Sequence, residues 1–346
     1  MQIQWYPGHM TKTKRLIEAN IKLVDIVIEL LDARAPYSTK NPDIDKLAGH
    51  KPRLIILNKA DLADPEITKK WVEWYSSKNV RVVPVIATSG KGIKEVTQVA
   101  EQMLKEKIDR DKARGRIYRP IRAMIVGIPN VGKSTFINSL VGKGSTKTGD
   151  KPGVTRGKQW VKIKKGFELL DMPGILWPKF EDQEVAMKLA YLGSIKDDIL
   201  DVRELTMNFL GHSRTYFKHQ VPNRYKVTFD EAWTDYEYLL AIGKKRGFIV
   251  AGGHVDEART AHMILDEYRS GKLGKITLEL PSDIQKPEAE NSQTKQKPQI
   301  KDTPNAQETE IKADQEEQQT EENNNIQGED KGLENVAQTV ATIEKE

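Results

Sequence analysis

The stretch RAMIVGIPNVGKSTFINSL at residues 122–140 decides the fold of this chain. It opens with an apolar run at 122–126 and ends in an amphipathic run, which predicts a buried strand followed by a helix. Between them, residues 127–134 match the pattern G-x-x-x-x-G-K-[ST]. Glycines in such a turn let backbone N–H groups converge on one concavity that binds phosphate oxygens. The stretch therefore predicts a phosphate-binding loop in an α/β fold.

The residue types in this loop match the binding of a nucleotide with Mg²⁺. Lys133 can reach the β- and γ-phosphates, and the Ser134 hydroxyl can bind the metal. The positive N-terminal end of the helix adds attraction for phosphate. The alternative, a glycine-rich turn without a ligand, is disfavoured by the strand before it and the helix after it. The residues expected to contact nucleotide here are Asn130, Val131, Gly132, Lys133, Ser134 and Thr135.

A second motif, Asn58-Lys59-Ala60-Asp61, begins 69 residues before the phosphate loop and also follows an apolar run. The Asp61 carboxylate can accept hydrogen bonds from N1–H and the amino group of guanine, and adenine offers neither donor. A buried acceptor left unpaired costs about 1–3 kcal/mol, so this pairing selects guanine. Asn58 can hold the loop, and the Lys59 stem can lie on the base. The motif alone also occurs in solvated turns, but beside a phosphate loop it predicts a guanine nucleotide site.

Three further segments complete the predicted site. The loop after residues 81–86 carries Ala87 and Thr88, which are expected to contact the base. Asp171-Met-Pro-Gly174 follows an apolar run, so Asp171 can hold Mg²⁺ and the Gly174 N–H can meet the γ-phosphate. Thr155, in a loop bounded by glycine and proline, can ligate Mg²⁺ while γ-phosphate is present, or be a plain turn residue.

Short apolar runs alternate with helical patterns over the first half of the chain. This alternation predicts a doubly wound α/β sheet with parallel strands. The predicted strands are 23–31, 53–57, 81–86 and 122–126, the predicted helices include 65–77 and 92–107, and 158–171 is expected to form two strands joined at Lys165-Gly166.

The pattern changes after Pro178, where strand signals become few. Helical periodicity at 183–192, 199–218, 228–243 and 255–271 predicts an all-α domain. Residues 287–346 carry 15 acidic and 6 basic residues, whereas the preceding 286 residues carry 49 basic and 35 acidic, a net charge of +14. The expected domains are therefore a nucleotide domain at 1–178, a helical domain at 179–285 and a disordered acidic tail at 286–346.

Composition excludes several classes of protein. Cysteine is absent, which excludes disulfides, a thiolate nucleophile and a cysteine metal site. The N-terminus lacks the apolar core of a signal peptide, and no run approaches the roughly 18 apolar residues of a membrane span. A cytoplasmic protein is expected, and a membrane-linked signalling GTPase would lack its anchor.

The order of these motifs resembles that of circularly permuted GTPases. N-K-x-D comes first, then the loop ATSGKG at 87–92, the phosphate loop, Thr155 and D-x-x-G. With WYPGHM at 5–10 and the helical C-terminal region, residues 1 to about 285 resemble the ribosome biogenesis GTPase A family, the YlqF type. The resemblance implies a permuted phosphate-loop GTPase that binds GTP and GDP with Mg²⁺. It further implies a monomer off the ribosome that assists late assembly of the large (50S) subunit, binding the precursor and its rRNA in the GTP state and leaving after hydrolysis.

The resemblance leaves the catalytic groups open. The position after D-x-x-G is Ile175, which cannot orient a water as glutamine does in other GTPases. His9 can activate water near neutral pH, or can dock on a partner without doing chemistry. Asn130 resembles the asparagine that binds K⁺ in potassium-stimulated GTPases, and it can equally cap its own loop.

Two hypotheses of function follow. In one, the protein is a GTP hydrolase, stimulated by the ribosomal subunit, whose cycle times binding and release. In the other it is an rRNA-binding scaffold in which GTP sets the conformation and hydrolysis is incidental. The stretches 213–220 and 243–248 mix basic and aromatic residues, which suits phosphate contacts and base stacking, or forms salt-bridged helix faces.

Overall fold

A six-stranded mixed sheet dominates the first half of the chain in a computed structural model. The structure describes residue 3 and residues 9–115, 120–142, 159–164, 166–176, 180, 182–228 and 230–284. At residues 9, 10, 159 and 164 the description covers the backbone alone.

The sheet has the strand order β3-β2-β1-β4-β6-β5. All neighbouring strands pair in parallel except β5, which runs antiparallel to β6. The strands are β1 (Ile26–Asp32), β2 (Arg53–Asn58), β3 (Val80–Val85), β4 (Ile121–Gly127), β5 (Gln159–Lys164) and β6 (Phe167–Asp171). The central strand β1 is buried along its whole length, as expected of a parallel strand covered by helices on both faces.

Helices follow most strands and make up the described chain after β6. They are α1 (His9–Ile21), α2 (Pro42–Ala48), α3 (Pro65–Tyr75), α4 (Ile93–Met103), α5 (Lys105–Ala113), α6 (Lys133–Val141), α7 (Gln183–Tyr191), α8 (Val202–Tyr216), α9 (Gln220–Tyr225), α10 (Asp235–Lys245) and α11 (Glu257–Arg269). None of these described helices is both long and apolar enough to span a bilayer.

Side-chain caps explain where several helices begin. Asp64 accepts from the backbone N–H groups of Glu66 and Ile67 at the start of α3, where Pro65 fills the first helical position. Thr234 and Glu237 form a reciprocal capping box at the start of α10. Such caps satisfy N–H groups that have no partner inside the helix, so they fix the first turn.

The predicted strands and the long predicted helices are confirmed, with most ends shifted by a few residues, and the helix predicted at 228–243 begins only at Asp235. The sheet is mixed rather than wholly parallel, because β5 connects to β6 through a turn too short for a parallel crossover. The pattern at 92–107 is broken at Leu104 into α4 and α5, and the short α9 was not predicted.

Residues Met1–Lys286 form one compact unit, which includes both the sheet and α7 to α11. The predicted boundary at 178 therefore stays a prediction. The second unit, Pro287–Glu346, and with it the predicted acidic tail, lies outside the described residues.

After α11 the chain returns to the loops that follow β1 and β2. In this return segment, residues 271–279, the Ile276 N–H donates to the Leu62 carbonyl at 3.0 Å. The Leu278 N–H donates to the Arg34 carbonyl at 2.7 Å. The Ile276 and Leu278 side chains are buried, so the region that contains α7 to α11, the helical region, shares one core with the ends of the strands.

Candidate nucleotide-binding site

The sheet brings the sequence motifs together at one edge. The register pairs Asp32 with Asn58 and Asn58 with Val85, so β1, β2 and β3 end side by side. On the other flank, Gly127 ends β4 opposite Leu30 of β1. Carboxyl ends of parallel strands form the usual ligand-binding crevice of open α/β sheets. N-K-x-D, ATSGKG, the phosphate loop and D-x-x-G therefore begin at this edge, although they are far apart in sequence.

The phosphate loop has the tight backbone that its glycines permit. Asn130 has a φ of 60° and Gly132 a φ of 94°, both in the left-handed region, and α6 begins directly afterwards at Lys133. A Cβ on Gly132 would lie 2.5 Å from Asn58 Nδ2, so a side chain there would collide with the N-K-x-D loop. Ser134 and Thr135 are exposed in the first turn of α6, where a helix attracts anions.

Asn58 ties three loops together. Its Nδ2 donates to the Val131 carbonyl in the phosphate loop at 2.9 Å, and its Oδ1 accepts from the Ala87 N–H at 3.2 Å. Asn58 is buried, so these bonds form away from competing water. The structure thus gives Asn58 an orienting contact with both neighbouring loops, while Asp61 and Thr88 are exposed at the rim.

Lys59, the second residue of N-K-x-D, contacts the phosphate loop. Its backbone has a φ of 58°, and its Nζ lies 2.9 Å from the Asn130 carbonyl and 2.9 Å from Asp32 Oδ2. The neighbouring Ala60 N–H donates to the Val85 carbonyl at 3.2 Å. The lysine head is thus held by two acceptors, which leaves its stem to line the site.

Asp32 and Arg34 form a buried ion pair that the motif search missed. The guanidinium binds both carboxylate oxygens, at 2.9 Å and 2.8 Å, and both residues are 1% exposed. Burial raises the pKa of Asp32, but the charges of Arg34 and Lys59 outweigh it and hold the pKa well below its ordinary value. A charged pair directly after the apolar strand IVIELL was the sequence signal that could have identified it.

The D-x-x-G segment lies directly on the phosphate loop. Lys133 Nζ is 3.0 Å from Asp171 Oδ1 and also donates to the Met172 carbonyl. The Ile175 N–H donates to the Gly127 carbonyl at 3.1 Å. A Cβ on Gly174 would come within 3.1 Å of the Pro129 nitrogen, so the two loops approach as closely as glycine allows.

The oxygen donors at this point suit Mg²⁺. Asp171 supplies a half-buried carboxylate beside Lys133, and Ser134 supplies a hydroxyl at the start of α6. Hard oxygen ligands of this type, completed by phosphate and water, are what Mg²⁺ prefers. Thr155, the third predicted ligand, lies outside the described residues.

The residues after Gly174 point into the core. Ile175 is 2% exposed and Leu176 is fully buried, so neither can orient a water at the γ-phosphate. His9 begins α1, but its side chain is not described. Among the described residues, no cluster of three or more His, Asp or Glu side chains could hold a metal ion. The His212 ring stacks on the Tyr216 ring, with 5.1 Å between their centroids.

Comparison with known proteins gives this site a family. A family model described as 50S ribosome-binding GTPase matches residues 122–224. "Ribosome biogenesis GTPase A" of Bacillus cereus is 48% identical over 284 residues, which cover 82% of this chain and 95% of that protein. The protein of the same name from Priestia megaterium is 46% identical, with 83% of this chain and all of that protein covered.

The chain belongs to the ribosome biogenesis GTPase A family.

A solved structure supports the assignment. The GNP-bound YlqF of Thermotoga maritima is 30% identical, aligns with a TM-score of 0.56, and covers 79% of this chain and 100% of its own. Membership of this family confirms the predicted resemblance and the predicted function, a GTPase in ribosome biogenesis. The roles of individual site residues remain predictions.

The close approach of Gly132 to Asn58 is testable with a matched pair of variants. Gly132→Ala should weaken GDP binding at least about tenfold, since left-handed strain of about 1–2 kcal/mol adds to the collision with Asn58. Gly142→Ala is the control, because Gly142 ends the same helix with a φ of 73° but has nothing within 4 Å of the added Cβ.

The Gly142→Ala control should have a lower melting temperature. Its affinity for GDP, measured by isothermal titration calorimetry, should remain at the wild-type value. Equal losses of affinity in both variants would show that backbone strain alone matters. Unchanged affinity in Gly132→Ala would contradict the geometry of the loop.

Proposed function

We propose that the protein is a GTP hydrolase with a circularly permuted site, whose cycle times its binding to and release from an immature large ribosomal subunit. The observation that carries this proposal is the meeting of four GTPase motifs at one sheet edge, with the D-x-x-G segment bonded to the phosphate loop. The cytoplasm, where the subunit is assembled, is the compartment that this proposal implies.

The permutation follows from the sheet order and the chain order together. A chain that began at β4 would pass through the phosphate loop, β5, β6, β1, β2 and β3, which is the usual order of GTPase motifs. Here the chain instead enters at α1 and β1, and connects α5 to β4 through residues 114–120. D-x-x-G therefore comes last and leads within a dozen residues to α7, which begins the proposed helical domain at 179–285.

The nucleotide contacts are assigned by position. Asp61, exposed at the rim, reads guanine, and the Lys59 stem and the Ala87-Thr88 backbone line the base. The phosphate loop and first turn of α6 bind the phosphates. Ser134, Thr155 and Asp171 hold Mg²⁺, so Lys133 must exchange its bond to Asp171 for phosphate oxygens when the complex forms.

Because Ile175 is buried and cannot orient a water molecule, other groups must assist GTP hydrolysis. Asn130 Nδ2 donates to the Gly193 carbonyl, which leaves its Oδ1 for K⁺. A cation there would neutralise developing phosphate charge as an arginine does in other GTPases. His9 is proposed to activate the water, and its alternative role is docking on the partner.

The helical region is proposed to bind rRNA of the subunit precursor. Tyr216, Ile249 and Val250 are exposed large side chains. Lys244 and Lys245 are also exposed, a few residues before Ile249. Aromatic rings that stack on unpaired bases, beside cations that bind phosphate, are the usual elements of RNA recognition. The net charge of +14 on residues 1–286 favours the same partner.

GTP turnover with purified large subunits tests the proposal. The wild-type protein, a monomer off the ribosome, should hydrolyse slowly alone and at least about tenfold faster with subunits, more so in K⁺ than in Na⁺. His9→Ala should still bind subunits but lose the stimulation, and loss of both would support docking instead. No stimulation in either salt would contradict a subunit-activated hydrolase.

An assay of precursor maturation, rather than of GTP turnover, separates the GTPase cycle from the scaffold hypothesis. Under the GTPase cycle, Lys133→Ala should stall on precursor particles. Wild-type protein held by a non-hydrolysable GTP analogue should also stall and block maturation. Maturation that proceeds normally with the analogue would favour the scaffold.

Guanine reading by Asp61 has its own test. Asp61→Asn should bind GTP at least about tenfold more weakly and gain affinity for xanthosine triphosphate, whose C2 carbonyl accepts from the new amide. Competition against a labelled guanine nucleotide measures both changes. GTP binding at wild-type strength in this variant would place the base elsewhere.

A further inference from the structure

Two helices of the C-terminal region end at the nucleotide loops. The last carbonyls of a helix have no partner inside it and carry partial negative charge, so they need donors from elsewhere. At the end of α11, the carbonyls of Tyr268 and Arg269 accept from Arg34 Nη1 at 3.4 Å and 3.3 Å. The donor is thus a residue of the loop after β1.

The end of α7 is held in a similar way. The carbonyls of Ala190 and Tyr191 accept from the guanidinium of Arg269, at 2.9 Å and 3.0 Å. Two residues after the end of α7, the Gly193 carbonyl accepts from Asn130 Nδ2 at 2.5 Å. The phosphate loop therefore donates directly to the C-terminal turn of α7.

Together with the Asp32–Arg34 ion pair, these contacts form a continuous network of hydrogen bonds and ion pairs. Arg34 binds Asp32 with its other edge, and Asp32 Oδ2 lies 2.9 Å from Lys59 Nζ. Lys59 in turn contacts the Asn130 carbonyl at 2.9 Å. We name Asp32, Arg34, Lys59, Asn130 and Arg269 the loop clamp. It connects the N-K-x-D loop and the phosphate loop, which we call the nucleotide loops, to the ends of α7 and α11.

We infer that Arg34 is a positioning residue for guanine nucleotide binding, which fixes Lys59 through Asp32 and couples the nucleotide loops to the ends of α7 and α11. The inference rests on the proposed contact of Lys59 and Asn130 with nucleotide. Arg34 itself is 1% exposed, so we place it as a positioning residue and not as a nucleotide contact. Its effect passes through Asp32, because a carboxylate that loses one cation no longer holds the other in one place.

Coupling of this kind acts in both directions. A nucleotide that orders Lys59 and Asn130 also orders the helix ends bonded to them, and a change at the helix ends alters nucleotide affinity by the same factor. A subunit bound to the helical region can therefore act on nucleotide release through the clamp. The connection through D-x-x-G is a separate route.

Arg34→Lys tests the inference with little change in charge. Lysine keeps the cation but lacks the planar fork, so it cannot bind both Asp32 oxygens and the α11 carbonyls together. We expect GDP to dissociate about tenfold faster, which corresponds to the loss of one charge-assisted bond. Stopped-flow release of a fluorescent GDP analogue from the full chain measures the rate.

Arg224→Lys is the matched control, because Arg224 of α9 also binds α11 close to its end. Arg224 binds both oxygens of Glu267, at 2.7 Å and 2.8 Å, one residue before Tyr268, and among the described residues its side-chain hydrogen bonds go to Glu267 and not to the nucleotide loops. Its loss should lower the melting temperature and leave the rate of GDP release at the wild-type value. The comparison separates a positioning role from general loosening of α11.

Arg269→Lys covers the case in which Arg34→Lys does not fold, because Arg269 is only partly buried. It should also speed GDP release, since it frees the end of α7 that binds Asn130. Wild-type rates in both clamp variants would overturn the inference, as would an equal acceleration in Arg224→Lys. Failure of Asp61→Asn to change base preference would instead refute the proposed base reader, because the clamp variants are scored with GDP itself.

Discussion

The carboxylate of Asp32, buried at the end of β1, is the constraint on which the nucleotide loops depend. A charge taken out of water is tolerated only when it is paired and hydrogen-bonded, and removing one partner typically costs about 3–5 kcal/mol. Asp32 is compensated from two sides, by Arg34 and by Lys59. Because Lys59 belongs to the N-K-x-D motif, the need to neutralise a buried charge also fixes the loop that is proposed to read the base.

The same constraint gives the helical region its place in the mechanism. Arg34 has a second edge to satisfy, and the C-terminal carbonyls of α11 satisfy it. The return segment then bonds to Leu62 and to the backbone of Arg34, on the far side of the same loops. Under the proposed function, the nucleotide and the ribosomal partner must affect each other, and these bonds supply a short physical route between them.

Local patterns predicted the motifs and strands, but not the contacts between them. The phosphate loop, N-K-x-D and the apolar strands each lie within a few residues, so the sequence displays them directly. Arg34 meets Tyr268 across 234 residues of chain and Asn130 meets Gly193 across 63, and no local periodicity encodes such pairs. The antiparallel pairing of β5 with β6 agrees with the two strands predicted around Lys165-Gly166, because so short a connection reverses the chain.

Hydrogen exchange of the full chain, with and without bound guanine nucleotide, tests the central claim most directly. If nucleotide loops and helix ends are one coupled unit, GDP should slow exchange at residues 188–195 and 266–278 as well as in the loops themselves. Both regions lie outside the proposed nucleotide contacts, and the bonds described above are the route by which we expect their protection. Protection confined to residues 58–61, 87–92 and 127–135 would contradict the account.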